Sequence, residues 1–530
     1  MPANLNLNCI PQEILEHIAL CTVMTKFLGP PAAIIPLLLT NRRLHSFLSA
    51  SSNPHLYARI FAFKYDVAPV IRRLGPERTS ATILSAELQR RCSYLARIRS
   101  RSDTKIVQSP AVKYDKKMVS TILWMSYLMM LENDGKNEQQ LRDYAEMDVW
   151  LTEYWFDPRG ASFATISIKI DKWPPNDMPN SLAMWLFWFL LSPDIFKRNN
   201  AFRDMTMILQ LMALNAHEYP ICSPSWTEFM PKARNGYSSP PLIYSETQSL
   251  TPPPLALPAI LSFLTLVNKL PYITSTPLDF TSTFTISRQG VEWDNEWERC
   301  LGLGQTSFHE YRSGAFTPGS IQGAWEGTFT YTEFATYAAL LSDTPPPILD
   351  QDLAVQHRQT WKLQEYHLLA PVSSLPETEI NIVTDGPLSV GDPMQAHLPE
   401  GTKFYECPDG IDVRDPAKTH PLFYHKTSYV PAPSTTDEIN DDNATFVRDV
   451  LVVGEGHSAW GQFSLRGRIR PCDGLVTFLK EYVGGVRGKW LYRGYLVGNI
   501  DGNIGGRWRD TTTPPDMSGY EGCFAMSRRQ

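Results

Sequence analysis

The sequence predicts an α+β protein: three short helices at the N-terminus, a helical middle region, and a C-terminal antiparallel β-barrel or sandwich. Three observations carry this expectation. Apolar residues recur at helical spacing up to about residue 275. Beyond about residue 280 turns become frequent and apolar and polar residues alternate. One glycine-flanked segment, Gly323-Ala324-Trp325-Glu326-Gly327-Thr328-Phe329, is echoed by Gly519-Tyr520-Glu521-Gly522-Cys523-Phe524, which places both stretches in one β unit.

Residues 1–75 read as short helices. Pro11 stands where a helix begins, and Ile14, Leu15 and Ile18 follow at helical spacing. Gly29-Pro30-Pro31 breaks the chain within a proline-rich loop from Lys26 to Pro36. A second helix is expected from about Ile34 to Leu48, and Asn53-Pro54 opens a third that carries Leu56, Ile60, Phe61 and Phe63. Residues 80–275 form the helical middle, with segments at 83–99, 118–131, 182–196 and 202–214 separated by proline- and serine-rich joints. No fixed period marks a solenoid.

Residues 280–530 form the β domain. Its clearest strand is Phe463 to Arg470, where Phe463, Leu465 and Ile469 alternate with Ser464, Arg466, Arg468 and Arg470. Leu475 to Tyr482, Trp490 to Val497, Ile504 to Trp508 and Gly519 to Met526 complete a meander joined by tight turns. Loop insertions are expected near 343–360, around three consecutive prolines, and near 431–443, which is polar and acidic.

Composition narrows the function classes. Hydrophobic residues make up 43% of the 530, enough for a real core, and the net charge of −6 argues against a nucleic-acid-coating protein. The eight cysteines share no CxxC spacing, so neither a disulfide scaffold nor a zinc site is expected, and no cofactor is implied. The longest apolar run, Leu182 to Leu191, is about half of a membrane span. No basic residue precedes Lys26, as a secretory leader would require, so the expected compartment is cytoplasmic or nuclear.

The N-terminal segments carry the functional signal. Ile10-Pro11-Gln12-Glu13-Ile14-Leu15-Glu16-His17-Ile18, then Leu37-Leu38-Leu39-Thr40-Asn41-Arg42-Arg43-Leu44-His45, then Asn53-Pro54-His55-Leu56-Tyr57-Ala58-Arg59-Ile60-Phe61 resemble, in order, the three helices of an F-box. The family pattern opens on Leu rather than Ile10, and the Lys26–Pro36 stretch is an insertion relative to it. The resemblance covers about a tenth of the chain. It implies that 1–75 docks on the Skp1 adaptor and through it on a cullin. Ile10, Pro11, Ile14, Leu15, Ile18, Leu38, Leu39 and Leu44 are then the contacts. The implied role is substrate receptor of an SCF-type ubiquitin ligase, without catalytic residues, holding a target protein through the β domain. The C-terminal arrays around Trp490 and Trp508 look similar to fungal F-box proteins with a C-terminal β domain. Two alternatives remain: a Skp1-binding protein outside a ligase, and a small-ligand-binding β-barrel.

The β domain supplies candidate target contacts. From Trp460 to Gln530 there are eleven Lys/Arg against six Asp/Glu. Arg466 and Arg468 share one strand face, and Arg493 and Arg507 lie on strands nearby; guanidinium groups bind carboxylates and phosphates bidentately. Trp325, Trp490 and Trp508 are candidate pocket walls. The ordinary roles of these residues are a solvated strand face and barrel core. Gly454-Glu455-Gly456-His457-Ser458-Ala459-Trp460 lacks the second glycine and the following helix of a nucleophile elbow.

Overall fold

The computed structural model describes residues 10–106, 115–191, 202–230, 241–269, 291–304, 314–341, 354–371, 387–426, 445–485 and 487–529. Helices come first: α1 (Gln12–Met24), α2 (Ile35–Thr40), α3 (Arg42–Leu48), α4 (Pro54–Lys64), α5 (Ala68–Leu74), α6 (Ala81–Ser100), α7 (Lys116–Leu131), α8 (Lys136–Gln139), α9 (Met147–Phe156), α10 (Ala164–Lys169), α11 (Met178–Phe189), α12 (Phe202–Leu214), α13 (Ala256–Lys269) and α14 (Asp294–Gly304). A two-residue hairpin, β1 (Leu242–Ile243) with β2 (Glu246–Thr247), lies between α12 and α13.

The helix expected from Ile34 to Leu48 is two helices. Asn41 adopts an extended conformation and its side chain accepts from the Leu44 N–H at 2.8 Å, so it caps α3 rather than continuing α2. Asn53 caps α4 in the same way and also donates to Glu16 on α1 at 2.7 Å. The Lys26–Pro36 stretch is packed against the middle region. The buried Lys64 ammonium donates to the carbonyls of Lys26 and Phe27, and Gln140 accepts from the Gly29 N–H at 2.8 Å. One apolar core runs from Leu15 through α7 and α11 to Cys300, so residues 10–75, the middle helices and α14 share it. Helix α11 is its hub: every residue from Pro179 to Phe189 is buried, which is why the apolar run there has no polar face. No described helix is long and apolar enough to cross a membrane.

The C-terminal region is a closed eight-stranded antiparallel barrel. Its strands are β3 (Gly323–Thr332), β4 (Ala354–Pro371), β8 (Thr445–Ser458), β9 (Gly461–Ile469), β10 (Val476–Tyr482), β11 (Lys489–Val497), β12 (Asn503–Asp510) and β13 (Glu521–Arg528). They pair in the order β3-β13-β12-β11-β10-β9-β8-β4, and β3 closes on β4. A short helix, α15 (Phe334–Leu341), follows β3. Strands β5 (Lys403–Cys407), β6 (Gly410–Arg414) and β7 (Leu422–Lys426) extend the sheet from the far end of β4. The echoed segments are neighbours, with Phe329 opposite Phe524. Residues 354–360, expected in a loop, are the start of β4; the 431–443 insertion lies outside the described residues.

Eight strands leave an interior just wide enough for side chains. Trp325, Trp361, Phe463, Phe478, Tyr492, Phe524 and Met526 fill it. The lower end is plugged: Glu365 accepts from the N–H groups of Gly319, Ile321 and Gln322, and Trp325 donates from its indole to the Ile321 carbonyl. The helical unit covers the outer face of β12 and β13. Gly505 lies under α13, where any Cβ would meet Leu257 and Leu261 at 3.0 Å. A larger residue there requires these leucine side chains to give way by a few tenths of an ångström.

Candidate interaction surfaces

The N-terminal helices divide the expected Skp1 contacts into two groups. Leu15 and Leu44 are buried, 3% and 1% exposed, and belong to the helical core. Ile10 and Leu38 are half-buried. Pro11 is exposed, and Ile14, Ile18 and Leu39 expose 52%, 37% and 78% of their surface. Ile35 and Met24, not singled out from sequence, are also exposed. These five large apolar side chains fall within 26 residues, although eighteen such residues are spread over the whole described chain. Single exposed apolar residues are ordinary; a concentration on a few helices is not. Asn53 ties α1 to the start of α4 through Glu16, and Lys64 and Gln140 hold the loop that follows α1 through the carbonyls of Lys26 and Phe27.

The arginines of the β domain are placed as the alternation predicts, on the outer barrel face, but most are covered. Arg466 is exposed, with its guanidinium over the Phe404 ring. Arg468 is 1% exposed, pairs with Asp449 at 2.8 Å and donates to the carbonyls of Leu388, Ser389 and His397. Arg470 pairs with Asp473 and donates to the carbonyls of Ser225 and Glu228. Burial pushes the Asp473 carboxyl up, and Arg470 with Tyr495 outweighs it and holds the group below its ordinary value. Arg507 donates to the carbonyls of Met212, Ala213, Asn215 and Tyr219, at the C-terminal end of α12. Arg493 pairs with Glu521 at 2.8 Å and stacks on Trp226. These side chains fasten loops of the helical unit and the 388–397 segment to the barrel. Neither a solvated face nor a free ligand ladder describes the buried Arg468, Arg470, Arg493 and Arg507.

The tryptophans divide likewise. Trp325 and Trp508 are buried in the barrel, where Trp508 donates to the Thr330 carbonyl. Trp490 is half-buried at the upper end and stacks edge-on against Trp508. The filled interior occupies the space that a ligand chamber would require. Above it lies a pocket of about 580 Å³ lined by His457, Trp460, Gln462, Tyr482, Val483 and Arg487. Around this mouth Tyr331, Phe334 and Val483 are exposed, and Tyr331 and Phe334 pack on Trp460 and Tyr520.

Sequence reasoning missed Lys480. It is 1% exposed inside the barrel, donates to Gln359 at 3.1 Å and Tyr492 at 3.3 Å, and lies 3.9 Å from the Phe463 ring centre. Burial lowers its pKa to about 7. The signal was present: Val476, Phe478 and Tyr482 alternate inward, and Lys480 occupies the same phase. Ser458, of the rejected elbow, is buried and bonds to the Tyr482 hydroxyl, with strand rather than helix on both sides. Among the described residues no group of His, Cys, Asp or Glu has metal-binding geometry, and the described cysteines are unbridged.

No family model, curated protein or solved structure matches the chain.

Proposed function

We propose that this chain is an F-box adaptor: its N-terminal helices dock on Skp1, and through Skp1 on a cullin, while the β domain holds a target protein for ubiquitination. The observation that carries the reading is the exposure of Ile14, Ile18 and Leu39 within the first two of the three segments that resemble an F-box. A partner helix gains by covering such residues, at about 25 cal/mol for each Å² of apolar surface. On this reading Leu15 and Leu44 act indirectly, by fixing the helices that carry the contacts.

The target side rests on the barrel mouth. Of the residues read from sequence, Trp490 is half-buried there, and the exposed Tyr331, Phe334 and Val483 add an aromatic and aliphatic rim; Arg466 is also exposed, but on the outer barrel face over Phe404. Aromatic and arginine side chains are the commonest anchors at protein interfaces. The protein performs no chemistry itself on this reading; ubiquitin transfer belongs to other subunits.

Titrating purified Skp1 into the full chain by calorimetry tests the docking half. Saturable binding that weakens at least tenfold in Ile14→Asp and Leu39→Asp supports it. Absence of binding by the unmodified chain, or equal binding by both variants, refutes it.

A further inference from the structure

The eleven-stranded sheet ends on β5, which pairs with β6 and has no strand on its other side among the described residues. The barrel closes on itself through β3 and β4, so β5 is where the sheet stays open. We propose that this edge takes up an extended segment of a partner protein as a further strand, with an acidic residue beside Lys403 and Arg414 and an apolar residue, two positions away, beside Tyr405. The inference stands whether or not the N-terminal helices dock on Skp1.

The backbone gives the first part. An edge strand presents alternate N–H and C=O groups outward, fixed in direction by the pairing on its inner side. Such groups hold an added strand by main-chain hydrogen bonds, and the side chains on its two faces select the sequence. β5 and β6 stay in unbroken register from Lys403–Arg414 to Cys407–Gly410, so the edge is a regular strand.

The side chains give the second part. On one face Lys403 stands directly opposite Arg414, and both are exposed. Neither forms an ion pair among the described residues. One lysine is enough to blunt an edge strand against aggregation. A second cation across from it adds repulsion, which an acidic residue on an added strand relieves. Arg414 leans towards the open edge: its guanidinium lies 4.9 Å from the centre of the Tyr405 ring on β5. Next along the same face are Tyr405 and, across Asp412, Phe423, both exposed, which suit an apolar neighbour. On the other face the exposed Arg466 lies over Phe404. The carboxylates of this hairpin, on Glu406, Asp409 and Asp412, are nearer its turn, so the Lys403 end is the positive one.

The test uses the full chain and a fluorescein-labelled peptide that reads alike in both directions: a central valine, a threonine on each side, an aspartate beyond each. Saturable binding by fluorescence anisotropy is expected, and the same peptide with lysine for aspartate binds at least about tenfold more weakly. Lys403→Glu/Arg414→Glu reverses the preference, so that the lysine peptide binds in place of the aspartate peptide; a reversal, unlike a loss, requires a folded edge. Methylating the backbone nitrogens of the threonines, or instead those of the valine and aspartates, tests strand addition. One pattern abolishes binding and the other leaves it, because only alternate N–H groups reach β5. Val483→Asp, at the barrel mouth, leaves binding unchanged. The inference is overturned by absence of saturable binding, by equal binding of the two peptides, by a preference that the double variant keeps, or by equal effects of the two methylation patterns. Self-association of the chain in sedimentation, with no peptide binding, overturns it in favour of a second copy at β5.

Discussion

Arg507, on the outer face of a barrel strand, donates from Nη2 to the carbonyl of Met212, 2.8 Å away in the last turn of α12. A helix end leaves four carbonyls without intrahelical partners, and a buried guanidinium is suited to several of them at once. Burial is also what lowers the Arg507 pKa from its ordinary value, with Glu521 opposing.

Removing this fastener leaves buried carbonyls unsatisfied. Arg507→Met is therefore expected to destabilise the protein by about 2–4 kcal/mol, because several charge-assisted bonds are lost together. The helical unit loosens from the barrel first. Hydrogen exchange checks this: amides of α12 and α13 lose protection in the variant, while barrel amides on β8 to β10 keep theirs.

Lys480 has the opposite sign. Its folded pKa is lowered to about 7 by burial, against about 10.4 in an unfolded chain. Between these values the unfolded state binds more protons, so the contribution of this group to stability rises with pH from about 7 to about 10. Below pH 7 both states are protonated and the full penalty applies. Lys480→Met is expected to raise stability at pH 7 by about 1–4 kcal/mol and to flatten the pH dependence above 7. Thermal melts at pH 7 and pH 9.5 check both; equal slopes in the two proteins refute the assignment.

Neighbouring residues on α1 separate docking from folding. Ile14→Asp changes an exposed position and is expected to leave stability within about 0.5 kcal/mol. Leu15→Asp puts a charge into the shared helical core and is expected to unfold the N-terminal helices. Urea melts followed by far-UV circular dichroism distinguish them.

Asn53→Ala removes both the cap of α4 and the bond to Glu16 on α1. A loss of about 1–2 kcal/mol is expected. If Skp1 docking depends on how α1 is held, binding weakens in parallel, although Asn53 itself is buried.

The barrel was legible in the sequence where inward apolar residues alternate with polar ones. The strands around 465, 479, 493, 506 and 524 and the echo at 323–329 are all present in one closed sheet. β4 was not legible: Gln356, Arg358, Thr360, Lys362 and Gln364 give it a polar outer face, and its inward Gln359 weakens the apolar phase. The break at Asn41 was hidden because Leu37 and Leu44, seven residues apart, keep helical spacing across it. The fate of the arginines was beyond local reading. Alternation places Arg468 and Arg507 on the outer face, but the carbonyls that Arg507 holds come from residues almost three hundred positions earlier. For the N-terminal contacts, spacing marks both faces of α1 as apolar, and only tertiary packing decides that Leu15 turns inward and Ile14 outward.

The most direct test of the adaptor reading is recovery of the full chain from cell extract beside the Ile14→Asp/Leu39→Asp double variant, with Skp1 and cullin quantified by mass spectrometry. The account predicts that both accompany the unmodified chain and that both disappear with the variant. Skp1 without cullin would favour a role outside a ligase. Equal recovery with both proteins, or no Skp1 with either, would contradict docking through the N-terminal helices.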